Sequence, residues 1–79
     1  MPEITMYTLA EIPAGTTVKI SRLESHPETC LRLRELGFCE NATIRCITNE
    51  ASQMICEVCN TRVGLNFSTA QSIIVSPLQ

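Results

Sequence analysis

The chain has 79 residues, of which 44% are hydrophobic and 18% charged, with a formal net charge of -2. That is one domain's worth of polypeptide, near the lower size at which an apolar core holds a fold unaided, and its composition excludes a disordered chain. An acidic balance and only three aromatic side chains (Tyr7, Phe38 and Phe67) supply neither the phosphate-neutralising charge nor the stacking platform of a nucleic-acid binder, so no nucleic-acid partner is expected.

No apolar run approaches the roughly 20 residues that cross a bilayer, and Met1 to Ala10 lacks the basic and apolar regions of a secretory signal. The expectation is a single domain over residues 1–79 that stays in the cytoplasm with no direct membrane insertion. The cysteine count is odd (Cys30, Cys39, Cys46, Cys56 and Cys59), and without a signal this predicts reduced thiols rather than a disulfide framework.

Leu9 and Ile12 are candidates to cover one end of the core. After a turn at Gly15, Thr16 to Ile20 reads as a strand, with Val18 and Ile20 alternating against Lys19 and Ser21. Ser25, His26 and Pro27 then mark a helix start: a polar cap candidate, a proline whose missing N–H costs nothing in the first turn, and Glu28 at the positive end of the dipole. The predicted helix runs from about Pro27 to Leu36, with Cys30, Leu33 and Leu36 on one face and Arg32, Arg34 and Glu35 turned away. Gly37 stops it. A Schellman ending at Gly37 makes Leu33 the C3 residue and Phe38 the C″ residue, which predicts contact between those two side chains.

From Asn41 the period changes to two. Thr43 to Thr48 reads as a strand, with Ile44 and Cys46 on one face, and Asn49 to Ser52 as a polar loop. Met54, Cys56 and Val58 alternate with Ile55, Glu57 and Cys59. A tight turn at Asn60-Thr61 leads into Val63, Leu65 and Phe67, completing a hairpin. Ser68 is the candidate cap of one helical turn through Ala70 and Gln71, and Ser72 to Ser76 forms a last apolar strand stopped by Pro77. About five short strands with one short helix after the first describe a mainly β protein. In so few residues a small, closed or nearly closed barrel buries them most economically.

Leu33-Arg34-Glu35-Leu36-Gly37-Phe38 followed by Ala42-Thr43-Ile44, and Arg62-Val63-Gly64-Leu65 followed by Ala70-Gln71-Ser72-Ile73, resemble the ferrous iron transport protein A (FeoA) family over nearly the whole chain. Glu40-Asn41 stands where that family usually has Pro-Gly, and Asn60 where glycine is common. Asparagine tolerates the left-handed conformation that both turns need. The resemblance implies an SH3-like barrel and a cytoplasmic accessory of ferrous iron uptake that binds the cytosolic GTPase part of the membrane transporter FeoB.

Among the residues that invite chemistry, Cys56-Glu57-Val58-Cys59 is a CxxC. On a strand its two thiols face opposite sides, too far apart to pair, and no second Cys or His pair at zinc-ligand spacing accompanies it. Cys30, Cys46 and Cys56 read as small core residues, and Cys39 and Cys59 as surface thiols. His26 reads as an exposed cap residue, and no nucleophile-base-acid set or phosphate loop forms around it. No catalytic residue, cofactor or metal ligand is assigned, and the chain is not expected to be an enzyme. The expected partner-binding surface is the helix end and the following turn, carried by Arg32, Arg34, Phe38 and Cys39. The alternative is a stand-alone metal-binding or metal-sensing SH3-like domain, related to the C-terminal domain of iron-dependent repressors.

Overall fold

A computed structural model describes residues 6–50 and 53–77. Six strands form one antiparallel sheet: β1 (Tyr7–Thr8), β2 (Thr17–Leu23), β3 (Thr43–Glu50), β4 (Gln53–Val58), β5 (Thr61–Asn66) and β6 (Ile73–Pro77), in the order β1-β6-β2-β3-β4-β5. Helix α1 (Pro27–Leu36) lies between β2 and β3, and α2 (Phe67–Gln71) between β5 and β6. The ladder ends at β1 on one side and β5 on the other. Between these edges α2 packs against the 3-10 turn Leu9–Glu11, which closes the small barrel with helix instead of strand.

The interior is apolar throughout. Leu9, Ile12, Val18, Ile20, Leu33, Phe38, Ile44, Cys46, Met54, Cys56, Val58, Leu65, Ala70, Ile73 and Val75 make one continuous cluster, and no polar or charged side chain among the described residues is buried. Alternation sets the inner row of each strand, seen most simply in β4, where Met54, Cys56 and Val58 are buried and Gln53, Ile55 and Glu57 are not.

Several boundaries differ from the sequence expectation for identifiable reasons. The extra strand, β1, is two residues long and carries no periodic signal, so α1 follows the second strand and not the first. β2 runs on to Leu23 because a bulge between Ile20 and Arg22 restores its pairing with β6 after the alternation breaks at Ser21. β3 continues through Asn49 and Glu50, where a loop was expected, because the Asn49 side-chain amide donates to the Ala10 and Ile12 carbonyls at 3.1 and 2.7 Å. The rest of that expected loop, 51–52, lies outside the described residues.

The hairpin turn also moves. Val58 pairs with Thr61, so the two-residue turn is Cys59-Asn60, with φ of +53° and +63°. Two positive φ values in a two-residue connection are the type I′ signature, which matches the right-handed strand twist. Cys59 is therefore a turn residue, not a strand residue. One strand later Phe67 opens α2 as an exposed residue, and the cap is Asn66, whose side-chain oxygen accepts from the Thr69 N–H at 2.8 Å, rather than Ser68. Asparagine in an extended conformation before a helix is a strong cap.

Candidate functional site: the outer face of α1 and its following turn

Helix α1 covers the predicted span, residue for residue. Its stop has the predicted geometry: Gly37 adopts φ +106°, its N–H bonds the Arg34 carbonyl at 3.0 Å, and the Phe38 N–H bonds the Leu33 carbonyl at 2.8 Å. Leu33 and Phe38 join the same core cluster. Asn41, with φ +72°, then turns the chain into β3, the left-handed role expected of it.

This ending separates the four expected docking residues. Arg32, Arg34 and Cys39 are exposed, but Phe38 has no exposed surface at all. The 6→1 hydrogen bond points the C″ side chain back over C3 and into the barrel, so Phe38 holds the helix end down from inside and offers nothing to a partner. It leaves the docking set on that ground. Leu36 also differs from expectation: it is exposed, because positions three apart drift by about 60° per step and the third of them has left the buried stripe. Of the ten helical residues only Cys30 and Leu33 are buried.

Leu31, absent from the expected docking set, is 62% exposed. It lies about 100° around the helix from Cys30, on the solvent side, where a helical-wheel count would have placed it. The outer face thus carries Leu31 and Leu36 between Arg32, Arg34 and Glu35. Arg34 reaches Glu40 at 3.2 Å, both side chains half exposed, and Arg32 has no ion pair among the described residues. Glu40 is held below the usual carboxylate range, first by a hydrogen bond from its own backbone and then by the Arg34 guanidinium.

The thiols divide as their sequence positions suggested. Cys30, Cys46 and Cys56 are buried, Cys39 and Cys59 are exposed, and all five are free. Burial pushes Cys46 up and takes Cys56 to about 12, the second also opposed by the charge that Cys46 would carry. Among the described residues no three His, Cys, Asp or Glu side chains converge on a point that could hold a metal ion. His26 precedes α1 at the N-cap position without a side-chain cap bond, beside a polar cleft of about 450 Å³ that Thr29, Ser68 and Thr69 also line. Next to it, the Ser25 and Ser72 hydroxyls bond each other and Ser72 donates to the Thr69 carbonyl at 2.7 Å, which ties the start of α1 to the end of α2. No helix among the described residues is long and apolar enough to cross a membrane.

Three solved structures show the same architecture. An iron uptake regulatory protein, FeoA, superposes with a TM-score of 0.88 at 19% identity, covering 94% of this chain and 100% of its own. A FeoA-like protein from Clostridium acetobutylicum gives 0.83 at 15% identity, covering 98% and 92%. A manganese-dependent transcriptional repressor gives 0.87 at 20% identity over 99% of this chain, which spans only 45% of the repressor. The fold is thus the SH3-like barrel, on its own in the first two and as part of a longer chain in the third. No curated protein matches the sequence. The FeoA domain model matches residues 7–77, from the first strand to the last, and the chain belongs to the FeoA domain family.

Proposed function

We propose that this protein is a single-domain, non-enzymatic accessory of ferrous iron uptake in the cytoplasm, and that it acts by binding the cytosolic GTPase part of the transporter FeoB through the outer face of α1 and its following turn. The observation that carries this reading is membership of the FeoA domain family along nearly the whole chain. The choice of surface rests on α1. A helix that gives only two side chains to the core leaves Leu31, Arg32, Arg34 and Leu36 outside, where the arginines are of the type enriched in binding hot spots and the leucines add apolar area beside them. Cys39 lies on the turn just beyond.

The test is a titration of labelled protein with the soluble cytosolic domain of FeoB, with and without GTP. Saturable binding that weakens at least tenfold in Arg32→Glu and in Leu31→Asp is expected. Absence of binding under every condition would remove the function, whereas full binding by both variants would remove only the surface. The metal-binding alternative draws on the fold shared with the manganese-dependent repressor. Metal analysis of protein purified under reducing conditions separates the two, because a carrier retains near-stoichiometric metal and an interaction module does not.

A further inference from the structure

Cys46 in β3 and Cys56 in β4 are directly opposite each other in the antiparallel ladder, and neither has any exposed surface. Opposed residues in such a ladder come in two kinds, and hydrogen bonds decide which kind this is. The Cys46 N–H bonds the Thr16 carbonyl at 2.9 Å, and the Cys46 carbonyl accepts from the Gly15 N–H at 2.7 Å. Both backbone groups of Cys46 therefore face the β2 side, and none is left for Cys56. The two cysteines form a non-hydrogen-bonded pair, the kind with Cα atoms about 4.5 Å apart and side chains at their closest. That spacing falls inside the range of about 4.4–6.8 Å that a disulfide spans.

We propose that Cys46 and Cys56 are a latent cross-strand disulfide, closed by a peroxide when the ladder between β3 and β4 opens. In the first step the Cys56 or Cys46 thiolate attacks hydrogen peroxide, breaking the O–O bond to give a sulfenic acid and hydroxide, which takes up the released proton as water. The partner thiol then displaces the sulfenic hydroxyl as a second water and forms the S–S bond. Two thiols and one peroxide yield one disulfide and two waters.

Two features keep the pair reduced while the barrel is shut. Neither sulfur is accessible, and the thiolate that would react is suppressed by burial. The bond also leaves little unsatisfied. The Cys46 thiol donates weakly to the Ile12 carbonyl at 3.6 Å and to the Thr48 carbonyl at 3.5 Å, and the first of these already accepts from the Asn49 amide at 2.7 Å. The bulge beside Cys46, where the register shifts before Thr48, interrupts the ladder at this point and gives it a place to open.

The experiment uses the full chain with Cys39→Ser and Cys59→Ser, which removes the exposed thiols. Hydrogen peroxide is added over a range of urea concentrations below the unfolding transition. Cleavage after arginine and glutamate without reduction puts Cys46 on residues 46–50 and Cys56 on residues 51–57, so their cross-link is read directly by mass. The expected result is a monomer lighter by two hydrogen atoms, carrying the 46–56 link, formed at least tenfold faster in mild urea than in none. Adding Cys46→Ser should abolish it. Cross-links through Cys30 in equal yield, a two-hydrogen loss that survives Cys46→Ser, or sulfinic acid without any cross-link would each overturn the proposal.

Discussion

A Cβ built on Gly37 would lie 3.2 Å from Val58 Cγ2, so the stop of α1 and the last residue of β4 meet closely enough that a methyl group fits only if the Val58 side chain gives by a few tenths of an ångström. The Cys59 sulfur closes the same space at 3.3 Å. Gly37→Ala adds this crowding to a left-handed φ of +106°. The left-handed penalty alone is about 1–2 kcal/mol, and urea unfolding should show a loss at least that large.

The opposite change is expected at the hairpin tip. Cys59 holds φ +53° without being glycine, asparagine or aspartate, in a turn type that favours those residues. Cys59→Asn should raise stability by up to about 1 kcal/mol, and Cys59→Val should lower it by at least as much, since a β-branched residue is a true outlier there. Thermal melts of the two variants side by side decide it.

Asn49→Asp should be more harmful than Asn49→Ala. The amide donates to two carbonyls, and a carboxylate in its place would set acceptor against acceptors. Alanine should cost about 1–3 kcal/mol for the carbonyls left without a donor, and aspartate more. Urea midpoints measure both.

Thiol chemistry should follow burial. Near neutral pH a small alkylating reagent should label Cys39 and Cys59 rapidly, and Cys46 and Cys56 only when the ladder between β3 and β4 opens or the chain unfolds. In the unfolded chain a thiol ionises near about 8.5, whereas folded Cys56 holds its proton up to about 12. The folded state therefore binds more protons across that window, and stability should fall as pH rises through it. Replacing Cys56 by Ala should flatten this alkaline decline even as it lowers stability overall.

Glu40 should titrate below an ordinary glutamate, by NMR, and Arg34→Ala should return it only part of the way, because its own backbone is the larger cause. The depressed value means that any stability it contributes is present above the unfolded carboxylate pKa and lost as pH falls through the folded one. The Arg34 pair itself is half exposed. Its removal should leave the urea midpoint almost unchanged.

The parts of the fold that could be read from sequence are those with a repeating signal or a stereochemical stop. Pro27 and Gly37 bracket α1 because each admits few alternatives at its position, and the alternation of Met54, Cys56 and Val58 fixes which face of β4 is inside. The failures are local decisions with near-equal alternatives. Cys59-Asn60 and Asn60-Thr61 both place an asparagine in the turn, and only the cross-strand pairing of Val58 with Thr61 separates them. Asn66 and Ser68 are both competent caps. For the candidate site, the arginines were legible as solvent-facing, and the inward turn of Phe38 was legible in the Schellman pattern although the same residue was also assigned to docking, since an exposed anchor and a core plug have the same letter. What decides it is the Schellman hydrogen bond from Phe38 to Leu33, which Gly37 predicts and hydrophobicity does not.

Of its own ten residues α1 buries only Cys30 and Leu33, so most of its outer surface can change without touching the core. Selection can rewrite that exterior to suit a changed receptor without disturbing the scaffold beneath. The helix is then an interchangeable label on a fixed body, and divergence between sequences that share this shape should concentrate there.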